Sequence, residues 1–306
     1  MAAWLRLGTR GSPLALAQAR LARERIAVVH AIADTEIELV AIKTSGDVIL
    51  DRALAEAGGK GLFTKELDAA LAAGAIDIAV HSAKDLPTRL PPGIDIVGCL
   101  PREDACDVFI SAKAASLAAL PRGARLGTAS LRREALARRV RPDLAVSLLR
   151  GNVETRLGKV ERGEIDATIL ALAGLKRLGL AARATALLEV DEFVPAVGQG
   201  AIAVTIREAD AKTRAAMAAV VDEDTGVALT CERAFLAVLD GSCRTPIGGH
   251  ARLEGGRLHF RGIVLRQDGT DAWEASFTAP GAEAERMGVA AGRDILGRIP
   301  PDILRP

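Results

Sequence analysis

The sequence predicts an α/β protein in which two similar α/β domains are followed by a small α+β domain with an antiparallel sheet. Three observations carry this. Short apolar runs alternate with Ala- and Leu-rich helical stretches over most of the chain, and two pairs of matching segments recur there in the same order. The closing part instead alternates strand-like runs with Glu254-Gly255-Gly256 and Gln267-Asp268-Gly269, both of them turn signals. A length of 306 residues also exceeds one typical core and points to two or three domains.

The elements follow in order. A short strand, Leu5 to Leu7, runs into Gly8-Thr9-Arg10-Gly11-Ser12-Pro13 and then a helix, with Ser12 as N-cap and Pro13 as its first residue. The pattern returns 119 positions later: Arg6-Leu7-Gly8-Thr9 is matched by Arg125-Leu126-Gly127-Thr128, and Ser130 precedes a helix that begins near Leu131. A second pair is offset by 89 positions: Gly74-Ala75-Ile76-Asp77 leads into a strand from Ile76 to Val80, and Gly163-Glu164-Ile165-Asp166 leads into Ala167 to Ala171. Chance similarity between two βα units is the alternative, but order and local context agree, so the expectation is one domain plan used twice, with about 30 extra residues in the first copy. In the last part, Cys231 to Leu239 reads as an apolar helix and Glu283 to Leu296 as a closing one. Parallel sheets collect ligands at the C-terminal ends of their strands, and Ser12, Asp85 and Ser130 all fall there; two such domains facing each other would form a cleft.

Composition narrows the function. Only 3% of residues are aromatic and Tyr is absent, so the cores are expected to be Ala, Leu, Val and Ile, and a base-stacking platform is missing. Forty basic against thirty-nine acidic residues leave a formal charge of +1, which argues against a general nucleic-acid binder but not against local Arg clusters. The four cysteines, Cys99, Cys106, Cys231 and Cys243, show no metal-ligand spacing, so no metal site is expected. The N-terminal residues lack the apolar core of a signal peptide, and no apolar run reaches the roughly 20 residues of a membrane span. These features predict a reduced, cytoplasmic, soluble protein without membrane attachment.

Several side chains could carry chemistry. Arg132 and Arg133 fall in the first turn of a helix, where cations oppose the dipole and add little to structure; with the backbone N–H groups there they would form an anion site. Arg10 beside Ser12 repeats the arrangement, and Arg150 and Arg156 follow another strand. Any one of these alone reads more plainly as part of a solvated helix face, but their convergence on strand ends suits a substrate with several carboxylates or phosphates. Gly58-Gly59-Lys60-Gly61 fails as a Walker loop, because Leu54 and Gly61 stand where Gly and Ser or Thr are needed; a charged lid fits better. Asp85 reads either as a surface partner of Lys84 or as a cleft carboxylate for proton transfer and cation stabilisation. His81 is a second candidate base, though a hydrogen-bonded strand-end histidine is the plainer reading. Cys243 lies in a Gly- and Pro-marked loop beside Arg244, which would favour a reactive thiolate, but a lone cysteine without a surrounding catalytic signature reads more plainly as inert; the other three cysteines also read as inert.

Taken together, these segments resemble, in order, the porphobilinogen deaminase (hydroxymethylbilane synthase) family. The matching motifs are Thr9 to Leu16, Thr44-Ser45-Gly46-Asp47, Gly58 to Phe63, His81-Ser82-Ala83-Lys84-Asp85-Leu86-Pro87, Arg102-Glu103-Asp104, Ser130-Leu131-Arg132-Arg133, Arg150 to Arg156, Ala173 to Gly179, Pro195 to Gly200, and the Cys243 loop. Ala129 stands where a Ser is common in the family, and Ser242 where many members carry Gly. The resemblance implies two domains like the periplasmic binding proteins and a third around the cofactor: residues 1–100 with 200–219, 101–199, and 220–306. It implies a transferase of tetrapyrrole biosynthesis that joins four porphobilinogen molecules head to tail, releasing ammonia each time, to give hydroxymethylbilane. Loss of ammonia leaves a cationic azafulvene, attacked by the free α-carbon of the terminal pyrrole.

By the same resemblance Cys243 would hold a dipyrromethane cofactor by a thioether bond, and Asp85 would be catalytic. Lys84, Asp85, Ser130, Arg132 and Arg133 would bind the cofactor. Arg10, Ser12, Arg150, Arg156, Arg177 and Gln199 would bind substrate, with Lys60 and Phe63 on a lid. A monomer is implied. The rivals are a two-lobed small-anion binding protein without catalysis, which would need neither Asp85 nor Cys243, and a phosphate-handling transferase, weakened by the failed Walker motif.

Overall fold

The computed structural model describes residues 3–48, 61–240 and 245–304. Strand β1 (Leu5–Arg10) is central to the first sheet, parallel to β2 (Ile37–Ile42) on one side and β3 (Ile78–Ser82) on the other. Beyond β3 lie β10 (Ile202–Arg207) and then β4 (Ile94–Cys99), each antiparallel to its neighbour, in the order β2-β1-β3-β10-β4. The second sheet is built from β5 (Asp107–Ser111), β6 (Arg125–Gly127), β7 (Ala145–Ser147), β8 (Ala167–Ala171) and β9 (Ala186–Leu188) in the order β7-β6-β8-β5-β9. There β6 is parallel to β7 and β8, and β5 is antiparallel to β8 and β9. The two orders are one plan, so the matching segments in the sequence mark a duplicated fold.

Helices α1 (Pro13–His30), α2 (Ser45–Val48), α3 (Lys65–Ala72) and α7 (Ala211–Met217) accompany the first sheet; α4 (Leu131–Val140), α5 (Val153–Glu161) and α6 (Leu172–Arg177) accompany the second. The N-caps predicted at Ser12 and Ser130 are present, each hydroxyl accepting from the N–H three residues on, Ala15 at 3.3 Å and Arg133 at 3.4 Å. The matching motifs also share a side-chain clasp. Asp77 accepts from the Arg6 backbone N–H at 2.8 Å and its guanidinium at 2.6 Å; Asp166 accepts from the Arg125 N–H at 2.7 Å and its guanidinium at 3.3 Å. In both copies the acid thus ties the entry of the third strand to the start of the first.

Two strand boundaries differ from expectation. β1 continues through Gly8-Thr9-Arg10, because β2 pairs with it as far as Arg10 opposite Ile42. The third strand starts at Ile78 and extends through His81 and Ser82, held there by β10. The last part forms α8 (Glu223–Val238), an antiparallel sheet of β11 (Ile247–Glu254), β12 (Arg257–Leu265) and β13 (Ala272–Pro280), and α9 (Ala284–Leu296).

Aliphatic packing dominates the first two sheets, through Leu7, Ile26, Ile78 and Val204 in one and Leu126, Leu136 and Ile169 around Phe109 in the other. The third sheet instead uses an aromatic pair, Phe235 and Phe260, with ring centroids 5.0 Å apart. The chain divides into two units, one of residues 3–48, 61–103 and 201–226, the other of 104–200, 227–240 and 245–304. No helix among the described residues is long and apolar enough to cross a membrane.

Candidate active site

In the first unit the chemistry gathers where the parallel strands end. The 3-10 turn Ala83–Asp85 follows β3 directly, and the Ala83 N–H donates to Ala201 O at 3.0 Å, which fixes the turn to the start of β10. Arg10, the last residue of β1, brings Nη1 to 3.8 Å from Asp85 Oδ2, with the two side chains 20% and 33% exposed. Its guanidinium lies over the Phe63 ring, 4.2 Å from the centroid, a cation–π contact that orients it. Phe63 is in turn placed by Gly46: a Cβ there would come within 2.3 Å of two ring carbons, and the Gly46 N–H donates to Leu62 O at 3.0 Å. Asp85 therefore has an ionic partner from another strand, which the adjacent-pair reading with Lys84 did not foresee. Lys84 is half-buried in the same turn, and Ser12 caps α1 just beyond Arg10.

His81 is buried, and its Nε2 lies 3.1 Å from Thr205 Oγ1. Burial first, and the charge of Arg10 second, lower its pKa to about 4. It is a neutral, hydrogen-bonded strand residue, in line with its plainer reading.

In the second unit, Arg132 and Arg133 turn inward from α4. They meet Asp107, the first residue of β5, whose side chain is 0% exposed. Arg132 Nη2 donates to Asp107 Oδ2 at 2.7 Å and Nη1 to Val194 O at 2.8 Å; Arg133 Nη2 donates to Asp107 Oδ1 at 2.7 Å and Nη1 to Ile169 O at 3.0 Å. Gln199 Nε2 adds bonds to Asp107 Oδ1 at 2.9 Å and Ala105 O at 2.7 Å. Burial opposes ionisation of Asp107, but the two guanidinium groups outweigh it and hold the carboxyl well below the usual range. The expectation that these cations add little to structure is corrected: an acid distant in sequence makes them a buried ion-pair cluster. Arg132 Nε, also buried, has no hydrogen-bond partner among the described residues.

Gly198 and Gly200, at φ of 74° and 87°, flank Gln199 in left-handed turns that a side chain would strain. The Arg177 guanidinium donates to Gly200 O, and Ser130 caps α4. Arg156 Nε donates to Gly151 O at 2.8 Å, closing the loop that follows Arg150. Sequence reasoning missed two acids. Asp107 carries a faint signal, an acid heading the apolar run Val108-Phe109-Ile110. Glu232, fully buried on α8, accepts from the Gly198 N–H at 2.6 Å and the Ala251 N–H at 2.7 Å, and so holds the Gln199 turn to β11.

Cys99, Cys106 and Cys231 are buried, and burial pushes the Cys106 and Cys231 thiols up to about 12, as their inert reading requires. Lys60 and Cys243 lie outside the described residues.

Comparison with known proteins places these groups in context. Residues 5–215 match the family described as porphobilinogen deaminase, dipyromethane cofactor binding domain, and residues 227–297 match porphobilinogen deaminase, C-terminal domain. The porphobilinogen deaminase of Nitrobacter hamburgensis is 57% identical over 95% of this chain and 92% of its own length. That of Paracoccus denitrificans is 51% identical over 97% and 95%. A solved periplasmic substrate-binding protein of an ABC transporter from Coxiella burnetii is 13% identical, with a TM-score of 0.44, over 72% of this chain and 93% of that one. With both family matches in chain order and relatives above half identity over nearly the whole length, the chain belongs to the porphobilinogen deaminase family.

Proposed function

We propose that this enzyme joins four porphobilinogen molecules head to tail into hydroxymethylbilane, releasing ammonia at each addition, with Asp85 as its catalytic carboxylate. The observation that carries the reading is the carboxylate of Asp85 held 3.8 Å from the Arg10 guanidinium at neighbouring strand ends. Porphobilinogen presents the complementary pair, a protonatable aminomethyl group and carboxylate side chains. Arg10, oriented by Phe63, takes a substrate carboxylate. Asp85 Oδ2 holds the proton at the departing amine and then faces the positive charge left on the methylene carbon. His81, neutral and turned to Thr205, takes no part in that proton transfer.

The donor set of the second unit suits a group rich in carboxylates. Two guanidinium groups against one carboxylate leave a surplus positive charge, and Arg132 Nε is buried without a partner among the described residues. Arg132 and Arg133 would therefore hold side-chain carboxylates of the dipyrromethane cofactor, with Ser130, Lys84 and Asp85, while Cys243 carries its thioether. When bound, the dipyrromethane supplies the pyrrole carbon that attacks the substrate. Arg150, Arg156, Arg177, Ser12 and Gln199 complete the substrate set. The reading takes the protein as a cytoplasmic monomer.

The test is the intact mass of purified protein. A mass above that of the sequence by one dipyrromethane, absent from Cys243→Ala, is expected. An unmodified chain that is nonetheless active overturns the assignment of Cys243. A small-anion binding protein would show neither the added mass nor a dependence of ammonia release on Asp85.

A further inference from the structure

Asp107 is fully buried, and it touches three of the side chains assigned to ligand binding. Its Oδ1 accepts from Arg133 Nη2 at 2.7 Å, Arg133 Nε at 3.2 Å and Gln199 Nε2 at 2.9 Å, and its Oδ2 accepts from Arg132 Nη2 at 2.7 Å. We infer that Asp107 is a positioning residue: it aims the Arg132 and Arg133 guanidinium groups and sets the charge they present. This rests on the reading of those arginines as carboxylate-binding groups.

Two neighbouring guanidinium groups repel, and both lie almost out of solvent, Arg132 at 4% exposure and Arg133 at 6%. Water cannot screen them there, so an internal anion is required. Asp107 supplies it and leaves a surplus of positive charge on the pair. A guanidinium is a planar fork whose N–H directions are fixed relative to one another. Once Asp107 and Val194 O hold Nη2 and Nη1 of Arg132, the direction of its unpartnered Nε is determined. Asp107 is itself fixed by its strand, opposite Ala171 at the C-terminal end of β8. Glu232 steadies the third member by anchoring the Gly198 N–H beside Gln199. The anion site is thus assembled on an acid at a strand end, and helix α4 only delivers the arginines to it.

The experiment measures the fraction of purified chains that carry the cofactor, by intact mass, alongside kcat, KM and the thermal midpoint by circular dichroism. Asp107→Asn is expected to lower the loaded fraction and kcat by at least about tenfold, the scale on which outer partners of ligand-holding side chains act. Asp107→Glu, which keeps the charge, should recover part of both. A folded Asp107→Asn protein with a lower midpoint but normal loading and kcat would show a merely structural acid and overturn the inference.

If Asp107→Asn does not fold, the double variant Asp107→Asn/Arg133→Met decides, because it removes one charge of each sign. Positioning predicts that it loads worse than Arg133→Met alone; equal loading overturns the inference. Arg132→Met separates the two readings. Normal loading in that variant sinks the carboxylate-binding assignment itself. Poor loading there, with normal Asp107 variants, sinks only the positioning role.

Discussion

Replacing Asp85 with asparagine keeps the side chain's volume and removes its charge, and the structure indicates how the two effects divide. At 3.8 Å the attraction between Asp85 and Arg10 is about 1 kcal/mol at the dielectric of water and about 4 kcal/mol at an effective value of 20. Both side chains retain solvent contact, so the net loss of stability is about 1 kcal/mol or less. The catalytic loss is larger. Asparagine can neither hold a proton at the departing amine nor balance the cation, and such groups contribute about a thousandfold, or ~4 kcal/mol of barrier. Initial rates of ammonia release give kcat, and thermal melts by circular dichroism give stability. The expected pattern is a collapse of kcat with an almost unchanged melt. A folded variant with a kcat near that of the parent refutes the catalytic role, and a collapsed melt refutes the claim that the Arg10 contact adds little to folding.

Three further outcomes are expected. His81 is held neutral by burial, near 4 against an ordinary 6.5, so the unfolded chain takes up the proton first. Its contribution is complete above about pH 6.5 and is lost as the pH falls through about 4, a range of about 3 kcal/mol; urea midpoints should drop more steeply with pH in the parent than in His81→Gln, and parallel curves would contradict this. Gly46→Ala drives a methyl group into the Phe63 ring at a cost of about 1–3 kcal/mol and should raise KM by loosening the stack that orients Arg10; an unchanged KM contradicts that link. Glu232→Gln turns an amide donor toward one of two backbone N–H groups, costing about 2 kcal/mol in denaturant titration. A loss below about 0.5 kcal/mol would show that the carboxylate is not the clamp described.

Local chemistry was the most legible part of the sequence. Ser12-Pro13 and Ser130 read as helix starts because an N-cap acts over three residues, and the chain meets them in one short stretch. The duplicated motifs were visible too, since each keeps its own Arg and Asp. What distant pairing decides was not readable. Gly8-Thr9-Arg10 looks like a loop and becomes strand only because Ile42 lies opposite Arg10. Arg132 and Arg133 looked poorly placed in a first turn because their counter-ion, Asp107, reaches them only through the fold. Glu232 gave no sign at all, since a single acid within an apolar helix reads as its wet face until two backbone N–H groups are seen to meet it.

The strand β10 has a consequence for how the protein is made. In the first sheet it fills the gap between β3 and β4, pairing Ile202 with Ser82 and Ala203 with Cys99. The strands of the second sheet, Asp107 to Leu188, all leave the ribosome before it. That sheet can therefore close while the first still waits, its β3 and β4 edges open. Such long-range pairing is slow, and an apolar strand edge invites pairing with other chains. The first sheet, begun before the second, is thus finished after it, and during that delay this protein is most in need of a chaperone.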